Sequence, residues 1–112
     1  MNPVKSMLAC AILIGFSLPV LAQSGDYRRG LEKSQTCQAC HGQTGNESLM
    51  PSYPRLAGQH QDYLAQALRR YRNGSRSNAI MAGFAASLSD QDIADLAAWY
   101  ARQDGLTDLS ID

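Results

Sequence analysis

Cys37-Gln38-Ala39-Cys40-His41 is the stretch on which the fold of this chain turns. Two thiols three residues apart, followed at once by a histidine, form the pattern that attaches a c-type haem. At the end of a helical turn the two sulfurs reach the two vinyl groups on one porphyrin edge and add across them as thioethers. The imidazole of His41 then faces the iron from one side. Two other chemistries use paired cysteines. A thiol-disulfide site would let His41 tune a thiolate, but that chemistry sits on a strand-to-helix junction, and no strand-length alternation occurs here. A zinc site would draw on Cys37, Cys40, His41 and His60, yet adjacent Cys40 and His41 do not easily share one tetrahedral ion.

Outward from the motif the chain reads as helices and loops. Asp26 caps a short helix through Tyr27, Gly30, Leu31 and Ser34 that ends just before the cysteines. Residues 42–54 (GQTGNESLMPSYP) are dense in turn formers and read as a loop. In residues 59–71, Tyr63, Leu64, Ala67, Leu68 and Tyr71 recur at three and four, a helical stripe closed by Asn73-Gly74. Arg69, Arg70, Arg72 and Arg76 crowd its C-terminal end, which suits the helix dipole and reads most simply as a solvated face. Residues 75–88 form a second connection with one apolar cluster, Ile80, Met81 and Phe84. Ser89 and Asp92 make a capping box with Leu88 as its staple. The helix they open carries Ile93, Leu96, Ala97 and Tyr100 on one face, with Trp99 alongside and Gly105 as its expected end.

The expected architecture is therefore all-α, with three main helices and long loops. Loops of this length are costly unless they have a job, and so short a chain supports only a small core. One large apolar cofactor between the elements resolves both difficulties.

A haem iron has a second axial position, for which Met50, His60 and Met81 compete. Met50 lies nine residues beyond His41, in a loop that must first pass the porphyrin edge. His60 opens a helix, where an exposed or capping role is the common one. Met81 lies forty residues on, flanked by Ile80 and Phe84, far enough to return over the opposite face; an ordinary packing methionine is its alternative.

Residues 6–23 (SMLACAILIGFSLPVLAQ) carry no charge and follow Lys5. Met7 to Leu18 read as the apolar region of an export signal, with Pro19 as its end and Val20 and Ala22 as the small residues before cleavage. The expected division is a signal peptide over 1–22 and a monohaem domain over 23–112. An uncleaved anchor and a lipid-modified Cys10 are the alternatives. Cleavage removes Cys10 and leaves Cys37 and Cys40 as the only thiols, a pair that would oxidise outside the cytosol unless something consumed it. Ten basic and ten acidic side chains give no net charge, so a polyanion-binding role such as nucleic-acid binding has no support. The expected place is the periplasm, with no stable membrane insertion after cleavage.

In these features the chain resembles the small class I cytochromes c, and among them the cytochrome c4 and c5-like bacterial electron carriers. The resemblance rests on Gly25-Asp26 and Gly30 ahead of the motif, on CQACHGQTGN, on YPRLAGQHQDYLAQAL and on LSDQDIADLAAWYARQ, in this order. It implies one covalent haem c with its iron, held by thioethers at Cys37 and Cys40. It further implies His41 and Met81 as axial ligands, and a Pro54 carbonyl that receives the histidine Nδ1–H. Gly30 and Trp99 fall where the family crosses its first and last helices. Phe84 stands where many relatives carry a second methionine. Cytochromes c4 proper have two tandem haem domains, whereas this chain has one C-x-x-C-H.

The implied activity is one-electron transfer rather than catalysis, because two protein ligands leave the iron no open position. The implied partners are redox proteins such as a membrane quinol-oxidising complex, a terminal oxidase or a periplasmic dehydrogenase. A permanently docked haem subunit of such an enzyme, and a haem sensor or peroxidase with a labile distal ligand, are the competing functions.

Overall fold

Gly30 fixes the frame. A Cβ built there would lie 2.0 Å from the Asp95 carbonyl oxygen and 2.7 Å from the Trp99 Cβ, so only glycine allows the two helices to cross this closely. The helices are α1 (Tyr27–Lys33) and α5 (Asp90–Ala101), and between them the chain forms α2 (Gln35–His41), α3 (Gln61–Asn73) and α4 (Ala79–Ala85). The computed structural model describes residue 15 and residues 23–106. The cleavage site and, Gly15 apart, the export signal expected over 1–22 lie outside the described residues, as do residues 107–112. Among the described residues there is no strand, and no helix is long and apolar enough to cross a membrane.

The all-α class is as expected, but five helices replace three. The two additions have seven residues each, too few for periodicity to declare them. The first continues the chain after Ser34, which is fully buried and bonds its Oγ–H to the Leu31 carbonyl at 2.7 Å. The motif thus lies on a helix of its own instead of beyond one. The second is opened by Asn78, whose Oδ1 accepts the Met81 N–H at 3.0 Å. Met81 accordingly sits in a helix, not in the loop that its polar surroundings suggest.

Asp26 caps α1 and the Ser89/Asp92 capping box opens α5, both as read from the sequence. Gly105 does not end α5; Arg102 is its C-cap. Gly105 instead passes against Ala57, where the Leu106 N–H donates to the Ala57 carbonyl at 3.0 Å. Arg72 is not simply solvated. Its guanidinium donates to the Leu88 carbonyl at 3.0 Å and to Asp90 at 2.6 Å, tying the end of α3 to the start of α5.

Asp95 completes the α1–α5 crossing. It is 1% exposed, and it accepts from the Asp26 N–H at 2.7 Å, from Arg29 Nε at 2.8 Å and from Gln91 Nε2 at 2.8 Å. Burial alone would raise its carboxyl; Arg29, the Asp26 amide and Gln91 outweigh that and hold it below the usual carboxylate range. Beyond this seam the apolar core is slight: Leu64, Ala65, Ile93, Leu96, Ala97 and Tyr100, between α3 and α5.

Gly30→Ala should destabilise the holoprotein by at least about 2 kcal/mol in denaturant titration. Gly83→Ala, where an added Cβ meets open space in α4, should instead stabilise it by about 0.5–1 kcal/mol. Because the folded pKa of Asp95 is depressed, its contribution is present above the unfolded value of about 3.9 and is lost as pH falls through the folded one. Denaturation midpoints should therefore fall below about pH 4, and Asp95→Asn should flatten that acid limb while lowering stability at neutral pH.

Candidate functional site

On α2 the residues at i, i+3 and i+4 share one face, which brings Cys37, Cys40 and His41 to one wall of a cavity of about 340 Å³. The remaining walls come from the loop around Pro54, from α3, from α4 and from Leu96, Ala97 and Tyr100 of α5. Tyr63, Leu64, Ala67, Leu68 and Tyr71, all five residues of the α3 stripe, also line this space. The stripe that sequence periodicity assigns to a protein core therefore mostly faces a cavity.

His41 is 5% exposed, and its Nδ1 lies 2.8 Å from the Pro54 carbonyl oxygen. A carbonyl only accepts, so Nδ1 carries the proton and Nε2 keeps its lone pair for a ligand role. The loop that delivers Pro54 is held by backbone bonds, Leu49 N–H to Cys40 O at 3.0 Å and Leu56 N–H to Gly45 O at 2.9 Å. Gly42, at φ +82°, turns the chain away from α2 directly after His41. Tyr53 places its ring 6.3 Å from the imidazole.

Cys37 and Cys40 are half-buried and share no disulfide. Burial pushes the Cys37 thiol up, opposite to the depressed value of a reactive redox thiolate. No group of three or more His, Cys, Asp or Glu side chains converges on a metal-sized site among the described residues, which gives the zinc reading no footing.

Of the three candidates for the opposite side of the iron, Met81 lines the cavity; Met50 and His60 are not on its wall. Met50 is exposed in the loop, and His60 is the exposed N-cap residue of α3. Ile80 and Phe84 line the cavity beside Met81 and are about half exposed.

These walls fit a haem. Paired thiols, an imidazole with Nε2 available, a methionine and an otherwise mainly apolar lining match the chemistry of the ring. The Tyr100 hydroxyl, buried on the cavity wall near the Ser34 and Cys37 side chains but without a well-formed hydrogen bond, is the kind of loose end that a bound group explains. Sequence reasoning missed the cavity-facing roles of Tyr63, Tyr71 and Tyr100, which periodicity marks only as apolar. It also missed Asp95, which looks like any charged helix residue.

The comparisons agree with this geometry. A family model described as cytochrome c oxidase, cbb3-type, subunit III matches residues 29–99. Cytochrome c-554(548) of Halomonas halodenitrificans is 45% identical over 84 residues, 72% of this chain and all of that protein. Cytochrome c4 of Pseudomonas aeruginosa is 41% identical over 97 residues, 86% of this chain and 48% of its own length. The crystal structure of reduced recombinant cytochrome c4 from Pseudomonas stutzeri superposes with a TM-score of 0.69 at 39% identity, covering 74% of this chain and 48% of that one. The chain thus spans about half the length of these cytochromes c4.

Haem should remain with the polypeptide on a denaturing gel after acidified acetone extraction. Cys37→Ala should weaken the haem stain, and C37A/C40A should abolish it.

Proposed function

The chain belongs to the class I c-type cytochromes, close to cytochrome c4, and from that premise we propose that it is a periplasmic one-electron carrier with a single His/Met-ligated haem c. Bound haem supplies the Fe(III)/Fe(II) couple. The protein supplies position and dielectric. Cys37 and Cys40 hold the ring by two thioethers, which a domain with so slight a core needs in order to retain it.

Pro54 fixes the His41 ring through Nδ1, which leaves Nε2 as the atom that would hold the iron. Met81 would supply the second protein ligand to the iron. The observation that supports this choice is that Met81 lines the same cavity as His41, whereas Met50 and His60 do not. Two protein ligands leave no coordination site for a substrate, in keeping with a carrier and not a peroxidase or ligand sensor. Thioether ligation and burial both favour Fe(II), so the midpoint potential is comparatively positive.

Electrons pass between this protein and other redox proteins. A membrane quinol-oxidising complex or a periplasmic dehydrogenase is the donor in this reading, and a terminal oxidase the acceptor. The terminal oxidase finds support in the family model, whose description is that of an oxidase subunit. The export signal over 1–22, cleaved after Ala22, delivers residues 23–112 to the periplasm.

Sulfur ligation gives the oxidised protein a weak far-red absorption band. Met81→Ala should erase that band and leave the haem attached, while Met50→Ala and His60→Ala should preserve it. Met81→His should keep a low-spin iron and lower the potential, because imidazole favours Fe(III) more than thioether does. Survival of the band in M81A with its loss in M50A would overturn the ligand assignment.

A further inference from the structure

Tyr100 is 4% exposed, and the chain on either side of it is held. An added Cβ at Gly45 would lie 2.9 Å from Tyr100 Cδ1, so the loop that carries Pro54 closes directly on the ring. The Tyr100 carbonyl accepts the Gly58 N–H at 3.0 Å. With ring and main chain fixed, the hydroxyl is confined to the cavity wall beside the Ser34 and Cys37 side chains, where nothing completes a hydrogen bond to it. Burial pushes its pKa up, so it keeps its proton and is a donor throughout the neutral range.

Two acceptors are near, and one is already served. Ser34 Oγ donates its hydrogen to the Leu31 carbonyl at 2.7 Å and accepts from Gln38 Nε2 at 3.0 Å. Cys37 is placed differently. Among the described residues the backbone of α2 approaches that of α1 alone of the other helices, and Cys37 is the α2 residue packed against the core cluster to which Tyr100 belongs. Thr36 also reaches the Cys37 thiol, but Thr36 is exposed and water can stand in for it. Water has no such access to the buried Tyr100 hydroxyl.

We propose that Tyr100 is a positioning residue for haem attachment: its O–H donates to Cys37 Sγ, turns that sulfur toward the cavity before the bond to the ring forms, and holds it as a thioether afterwards. Attachment is an addition. The Cys37 S–H bond breaks, a carbon–sulfur bond forms at the vinyl carbon next to the ring, and hydrogen goes to the outer vinyl carbon, with no net oxidation or reduction. The Cys37 side chain has a choice of staggered rotamers, and only a sulfur facing the cavity meets the vinyl group. A donor fixed on the adjoining wall selects that rotamer and stabilises the charge that gathers on sulfur as its proton leaves. Tyr100 serves Cys37 and not Cys40, so the two thioethers are not equivalent. The proposal rests on the haem-carrier reading, and the two fail separately. A wild-type protein without covalent haem defeats both, whereas full attachment at Cys37 without the hydroxyl defeats this one alone.

The test is attachment and thiol alkylation in holoprotein matured in the periplasm of a host. For Tyr100→Phe, unfolding in an alkylating agent followed by mass spectrometry should reveal haem-bearing polypeptide alkylated at Cys37, which wild type lacks. In Cys40→Ala, where Cys37 is the sole attachment point, adding Y100F should lower the acetone-resistant haem per polypeptide by about threefold to tenfold, the worth of one hydrogen bond. In Cys37→Ala, adding Y100F should change it little. Tyr27→Phe, which removes a phenol hydroxyl outside the cavity, should leave both cysteines fully attached. Complete attachment at Cys37 in Y100F with undiminished haem in C40A/Y100F would overturn the proposal. Equal losses in the C37A and C40A backgrounds would overturn it too, because Tyr100 then serves only to pack. Failure of Y100F to yield holoprotein in any background counts as such an equal loss. Should C40A alone retain no haem, alkylation at Cys37 in Y100F decides.

Discussion

The centre of this protein is built to be filled by something that is not polypeptide. Six residues, two of them alanines from α3 and α5 and none larger than Tyr100, make up the core cluster between α3 and α5. Larger apolar side chains that would ordinarily enlarge it, Tyr71, Met81 and Phe84, line the cavity instead. Burial of apolar surface is the main favourable term in folding, so a chain that turns its apolar faces toward a void is incomplete without the group that occupies it. Covalent attachment is the matching solution, since a domain this thin could not retain a large ring by packing alone. Length, loop content and the paired thiols are thus three expressions of one constraint.

The polar groups serve the same geometry. His41 is positioned by a backbone carbonyl, and that carbonyl belongs to a proline in a loop secured by backbone bonds to Cys40 and Gly45. The loop is long because it has to travel from α2 to the far side of the imidazole and back to α3. On the other flank, Asn78 opens α4 through the Met81 amide. One capped turn is enough to set the sulfur-bearing residue on the cavity wall.

Much of this was legible in the sequence, and what was not has identifiable causes. The motif declares its chemistry because haem attachment demands two thiols and an imidazole at fixed spacing. The caps at Asp26 and Ser89 are legible because capping is local, and Gly30 through its place in the family pattern. The helix bearing the motif and the one bearing Met81 are not, since seven residues hold too few periods to stand out. The α3 stripe was correctly seen as apolar, but periodicity cannot say whether an apolar face meets protein or cofactor. Asp95 and Arg76 escape for the complementary reason. A charged residue on a helix or turn looks solvated until the fold shows that one is sealed under Asp26 and Arg29 and the other stacks on Tyr71 and donates to the Tyr63 hydroxyl.

The crossing of α1 and α5 has a consequence for how such domains can be multiplied. Arg102, just past the last helix, lies 4.2 Å over the ring of Tyr27, the first residue of the first helix. Entry and exit of the folded unit are therefore neighbours, a placement that lets one unit be joined to another without disturbing either interior. The cytochromes c4 to which this chain is similar are about twice the length that it covers. A seam that closes one haem domain is also a good place to begin the next.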